Sequence, residues 1–304
     1  MSAPASTLPV PPPSAPWLLR AADGALLLVA IVWGTSYGVA KGALAFYPVL
    51  GFLAVRFLLT AALLAPACVG ATRAQWRDAL RAGVPLGGLL TAIFLCETYG
   101  LALTQASHAA FLISLCVVFT PFAEWVLLGR RPARAVFAFA AVSLAGAALL
   151  AGGWPRHWSG GDALILAAAV LRAVTVCTTS QLTRRHAQAP MLLLTAVQSA
   201  VVGAGCLLLA AGGGGLPPLP HAPAFWTATA YLVLGCTVFA FFAQNWALRQ
   251  GSPSRVGLLM GTEPAWGALF AVAWLGERLD ATGWLGAALI VAAAGWMLCR
   301  NDTR

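Results

Sequence analysis

Residues Gly24–Leu44 read GALLLVAIVWGTSYGVAKGAL. A helix needs about 20 mostly apolar residues to cross a bilayer, and this run has that length and character. Yet its second half, WGTSYGVAK from Trp33 to Lys41, carries Thr35, Ser36, two glycines, an indole and the only lysine of 304 residues. Gly34 and Gly38 are four apart, so they share a helix face and permit close helix approach. Trp33 and Tyr37 have the same spacing on an adjacent stripe, and Ser36 can bond back to the backbone or face water. Such a helix presents a crevice wall, partly aromatic and partly polar. Lys41, near the outer end, reads as a headgroup anchor or mouth residue.

The rest of the chain extends that reading. Hydrophobic residues make up 60%, charged residues 9%, and mean hydropathy is +0.83. A soluble domain carries about a quarter charged residues, so this chain lacks the groups to cover a water-facing surface. A helical ruler finds ten candidate spans: 24–44, 48–70, 83–103, 108–129, 135–152, 161–182, 190–212, 223–248, 254–275 and 280–299. Glycine and proline punctuate the gaps between them. The expected fold is an all-α membrane protein. β-barrel strands would alternate apolar and polar residues, and these runs do not.

Residues 1–22 begin MSAPASTLPVPPPSAP, without a basic region before an apolar one, and read as a disordered Pro-rich cytoplasmic tail rather than a secretory signal. The net charge is +9, but the arginines are scattered between apolar runs, which argues against nucleic acid. With the N-terminus inside, thirteen basic residues fall on inner connectors, three outside, and Arg56 and Arg172 within spans. The positive-inside rule then puts both termini in the cytoplasm. Thr72–Arg81, with Trp76 among three arginines, reads as a short amphipathic stretch on the inner surface. The seven cysteines lie in apolar segments without a CxxC pair, and the four histidines are far apart in sequence, so no metal or cofactor is expected.

The chain also repeats itself. Ala102-Leu-Thr-Gln-Ala-Ser107 resembles Ala247-Leu-Arg-Gln-Gly-Ser252, and Leu127-Leu-Gly-Arg-Arg131 resembles Trp274-Leu-Gly-Glu-Arg278. Asp23 precedes the first span much as Asp162 opens the sixth, which aligns Arg172 with Trp33. The halves are 23–160 and 161–304. Five spans per half is an odd number, so the second copy enters the membrane in the opposite sense, an inverted repeat that can expose one midplane site to either side.

Taken in order, WGTSY, Val55-Arg56-Phe57-Leu58, ALTQAS, the FTP ending at Pro121 with LLGRR, and EPAWGALFAVAWLGERL resemble the EamA-type members of the drug/metabolite transporter superfamily. The resemblance covers nearly all the chain after the tail. It implies a ten-helix inner-membrane carrier, often an exporter of amino acids or related metabolites, with a cavity between its halves; amino-acid exporters of the YddG type are one subgroup. Two positions depart from the pattern: Arg172 stands where many relatives have an aromatic residue, and Val117 where the ninth span has Pro264.

Charges inside a span are costly, about 2.5–3.5 kcal/mol each on insertion scales, and need a partner or a wet cavity. Arg172 and Glu263 are central in their spans, and Glu263-Pro264 marks an expected kink, because proline frees a carbonyl one turn earlier. Arg172, with Glu97 or Glu263, either offers opposite charges to a zwitterionic small-molecule substrate or forms a structural ion pair. Arg56 is expected to be structural, Glu124 to snorkel. Trp33 and Trp266 would supply an aromatic wall for flat or cationic groups. The candidate substrate site is therefore Trp33, Ser36, Tyr37, Glu97, Arg172, Glu263 and Trp266, with membrane lipid as surroundings and proton coupling through a carboxylate as an open possibility. An enzyme is disfavoured, since no HExxH or GxSxG occurs and the acids are scattered. The alternative within transport is efflux of cationic or lipophilic compounds.

Overall fold

The computed structural model describes residues 16–104, 106–152, 159–275 and 278–301, and every regular element among them is a helix. The first, α1 (Pro16–Leu44), takes in residues 16–22 of the expected tail. Proline suits a first helical turn, where its missing N–H costs nothing, and Trp17-Leu-Leu19 continues the apolar run behind it. Residues 1–15 of the expected tail lie outside the described residues.

α2 (Val49–Cys68) matches its span. α3 (Arg73–Leu103) runs 31 residues and absorbs the stretch expected to lie on the surface. A capping box decides this: Thr72 N–H donates to Gln75 Oε1 at 2.9 Å, and Gln75 N–H to Thr72 Oγ1 at 3.2 Å. The fourth span is two helices, α4 (Ala106–Ser114) and α5 (Cys116–Leu128), and α6 (Arg134–Leu150) follows. Gln105, part of the first repeat motif, lies outside the described residues, as do residues 153–158 and Gly276-Glu277.

In the second half, α7 (Gly160–Arg185) starts at a Ser159–Asp162 capping box, and α8 (Met191–Gly212) follows. The eighth span comprises α9 (Pro223–Val233), a π-helical turn at Leu234–Phe239, and α10 (Ala240–Gln250). The ninth breaks into α11 (Pro253–Met260) and α12 (Glu263–Leu275), so the kink expected at Glu263-Pro264 is a full interruption at Gly261-Thr262. α13 (Ala281–Asn301) completes the set. Eight of these segments are long and apolar enough to cross a membrane; Arg134–Leu150 is apolar but shorter.

Packing partners exchange when the halves are swapped. α2 packs on α8, and α6 on α13, each helix on its own counterpart. The α3–α7 contact is answered by α1 against α9 and α10, and α5–α7 by α1–α12. The closest seams are built of glycine. A Cβ on Gly146 would sit 2.6 Å from the Gly286 carbonyl oxygen, and one on Gly286 would sit 2.7 Å from Leu150 N. Without a hydrophobic drive between helices in lipid, such backbone contact supplies the packing. Gly146→Val is expected to cost about 1–3 kcal/mol of overpacking, read as a lowered midpoint in detergent thermal unfolding.

The arginine-rich helix ends meet at one end of the bundle. There Asp23 of α1 pairs with Arg255 of α11, and Glu124 accepts from the Ser254 N–H at 3.0 Å and from its hydroxyl. Glu124 is buried and joins the two halves, so it does not snorkel; its carboxylate caps backbone and hydroxyl donors that would otherwise lack a partner. At the opposite end, Asp162 Oδ1 accepts from Thr104 at 2.5 Å. Each repeat's opening aspartate thus binds beside the other half's matched connector.

Candidate functional site

A cavity of about 590 Å³ lies between the halves. Its walls run from Thr120, Gly257 and Met260 to Ala151 and Leu279, at the helix ends opposite the arginine-rich cluster. Three charged side chains meet in it, one each from α3, α7 and α12. Arg172 Nη2 donates to Glu97 Oε2 at 2.9 Å and to Oε1 at 3.1 Å, while Nη1 reaches Glu263 Oε2 at 3.4 Å. Both acids are buried, and Arg172 keeps 18% of its side chain accessible. The interruption before Glu263 matters here: it sets that carboxylate on the first turn of a new helix, pointing into the gap.

Trp33 covers the group, with the Arg172 guanidinium carbon 5.3 Å from its ring centroid. Its indole N–H donates to the Cys236 carbonyl at 2.9 Å, a carbonyl of the π-helical turn. The Tyr37 hydroxyl and Glu263 Oε1 are buried, and the hydroxyl lies beside the Glu263 carboxylate without either atom closing a well-formed hydrogen bond. Ser36 lines the cavity, but its hydroxyl donates to the Trp33 carbonyl at 2.7 Å and can only accept from a ligand. Of the seven expected site residues, six therefore converge.

The EamA-like transporter family model matches twice, over residues 20–152 and 159–299. The chain belongs to the EamA-like transporter family. It is thus a multi-pass membrane transporter and not an enzyme. An uncharacterized transporter of Archaeoglobus fulgidus is 26% identical over 292 residues, covering 90% of this chain and 84% of that protein. A "probable terminal-alkyne amino-acid exporter" of Streptantibioticus cattleyicolor is 28% identical over 294 residues, covering 94% and 95%. A solved structure titled "Crystal structure of protein" superposes with TM-score 0.75 at 21% identity, covering 94% of this chain and 99% of its own, which shows the fold alone.

Trp266 is the exception in this EamA-family site. Among the described residues it is not part of the cavity lining; its Nε1–H donates back to Thr262 Oγ1 at 3.1 Å across the helix interruption. A helical side chain leans toward the preceding turn, and here that turn is the break. The two glycines of the opening motif also part company. A Cβ on Gly34 would lie 2.7 Å from Gly267 N of α12, whereas Gly38 has open space, so one packs and the other leaves room.

The aromatic wall continues instead through Phe241, whose ring stands edge-on to Trp33 at 6.4 Å, and on to Phe94 at 6.2 Å, with the fully buried Phe57 packed behind them. These phenylalanines look like ordinary apolar residues in the sequence.

Proposed function

We propose that this transporter carries small amino-bearing metabolites, amino acids foremost, across a bacterial inner membrane by alternating access, in the export direction. The observation that carries the reading is the Glu97–Arg172–Glu263 group under Trp33, inside a cavity between the halves. A buried cluster of opposite charges offers complementary partners to a zwitterion, and the aromatic wall suits flat side chains. The name of the Streptantibioticus cattleyicolor relative points the same way.

Ten spans in two inverted repeats, 23–160 and 161–304, give this carrier its two-sidedness, and the exchange of packing partners between the halves supports that arrangement. Arginine enrichment at one end supports cytoplasmic termini. In that orientation the cavity faces outward, and Asp23–Arg255 with Glu124–Ser254 closes the inner side. Glu263, with one oxygen not held by Arg172, is the candidate proton carrier for coupled exchange.

A second reading, efflux of cationic compounds, has its own support: within the Glu97–Arg172–Glu263 group two carboxylates face one guanidinium, the balancing Arg56 lying elsewhere in the lining. Counterflow in liposomes with a panel of amino acids, the corresponding amines and lipophilic cations, with and without a pH gradient, separates the two. Amino-acid exchange stimulated by the gradient is the expected result. Transport of cations alone would overturn the amino-acid reading in favour of the second.

A further inference from the structure

Arg56 is 6% exposed, lies on α2 within the membrane span, and forms no ion pair among the described residues. The cavity's acids are spent elsewhere: both oxygens of Glu97 and Oε2 of Glu263 are held by Arg172. What Arg56 does have is a rigid mount. Its Nε donates to Thr237 Oγ1 at 3.0 Å, and the Thr237 hydroxyl is itself oriented by donating to the Leu232 carbonyl at 2.9 Å, five residues back. That five-residue reach belongs to the π-helical turn Leu234–Phe239, a feature that recurs at functional sites. The guanidinium carbon lies 5.2 Å and 5.3 Å from the Phe57 and Phe94 ring centroids. Ring contacts attract the cation without neutralising it, and Glu97 acts on it only through space, its oxygens being bonded to Arg172, so the guanidinium has room for a carboxylate of its own.

Arg56 also lines the cavity. With Nε fixed on Thr237, the remaining edge of the guanidinium is the Nη1/Nη2 fork, the geometry that grips a carboxylate through two parallel hydrogen bonds. Arg172 cannot serve in this way, since two acids already occupy it. Trp33, Phe241 and Phe94 thus line a cavity in which an Arg56 guanidinium with no bonded acid lies within electrostatic reach of the acidic cluster through Glu97, a separation suited to the adjoining charges of an α-amino acid.

We propose that Arg56, and not Arg172, binds the carboxylate of the transported zwitterion, while the acidic cluster receives its ammonium group. This replaces the expectation that Arg56 is structural, and it rests on the reading of the cavity as an amino-acid path. The excess charge at Glu263 alone would pass any amine; Arg56 is what makes the site demand an acid as well.

The test uses the full chain in detergent and calorimetric titration with L-phenylalanine and with its methyl ester, which keeps the ammonium and ring but has no carboxylate charge. The wild type should prefer the acid by about 10- to 100-fold, as for a hydrogen bond to a charged group. Arg56→Gln should erase that preference, weakening the acid by the same factor and leaving the ester within about twofold. Equal weakening of both ligands, or a retained acid preference, would overturn the assignment. Should Arg56→Gln not yield monodisperse protein, Arg56→Lys keeps the charge and removes the fork; its acid-to-ester ratio should fall several-fold, and an unchanged ratio would overturn the proposal. A wild type that binds the ester as tightly as the acid also overturns it. Binding of neither probe, together with inactivity on the amino-acid panel, would instead remove the underlying transport reading and this assignment with it.

Discussion

Arg172→Met is expected to abolish amino-acid counterflow in liposomes and to lower the thermal midpoint sharply. Arg172 is the only cation bonded to Glu97 and Glu263 among the described residues, and both acids are buried. Removing it strands two carboxylates that repel each other, and stranding one partner of a buried pair costs about 3–5 kcal/mol. Loss of transport in that variant alone would not separate a substrate site from a structural lock. The triple variant Glu97→Gln, Arg172→Met, Glu263→Gln does separate them. It strands no carboxylate and leaves Arg56 without a bonded acid, as in the wild type, so the midpoint should recover toward the wild type, because replacing a buried ionic cluster by neutral groups is often close to neutral for stability. Transport should stay absent. Recovery of both would show that the cluster only holds α3, α7 and α12 together, and the proposed ammonium site would fall.

Glu263→Gln should produce the second large effect, and of a different kind. The group is built unequally: Glu97 takes Arg172 through both oxygens at 2.9 and 3.1 Å, while Glu263 has one contact at 3.4 Å and a buried Oε1 with no partner. Glutamine at 263 leaves the Glu97–Arg172 pair intact, so the fold should survive. What disappears is the excess negative charge. Binding of an amino acid is expected to weaken by about 10- to 100-fold, the worth of hydrogen bonds to a charged acceptor. The pH response should change too. In the wild type, protonating Glu263 removes the charge that attracts the ammonium, so affinity falls as the medium is acidified. The glutamine has no such proton to gain, and its weak affinity should stay flat over the same range. Titrations across the acid-to-neutral range check this, and a variant that kept the wild-type pH dependence would remove Glu263 from the coupling role.

Much of the architecture was legible because it depends on composition and spacing. Long apolar runs interrupted by glycine and proline located the membrane helices, and the matched motifs ALTQAS and ALRQGS announced the two family domains. The cost of a charge in a span was enough to single out Glu97, Arg172 and Glu263, since such groups must find one another or water. Trp33 stood out because an interface role did not account for an indole in mid-run. Other features were hidden. Trp266 has the right chemistry for the wall, but the break beside it turns its indole to Thr262. The π-helical turn at Leu234–Phe239 has no marker in LGCTVF.

Arg56 draws the line most sharply. Its position in a span was plain from the residues around it, and so was its cost. Whether an acid would lie against it depended on how α2, α3, α7 and α12 are arranged, because a carboxylate within ion-pair distance is a matter of ångströms between segments far apart in the chain. By itself the amino-acid order determined which segments are apolar enough to enter a membrane and which charges must be accommodated there, since hydropathy and charge are properties of each residue. Only the tertiary structure decided that both acids go to Arg172 and none to Arg56, because electrostatic pairing is settled by distance and every helix seam contributes to that distance.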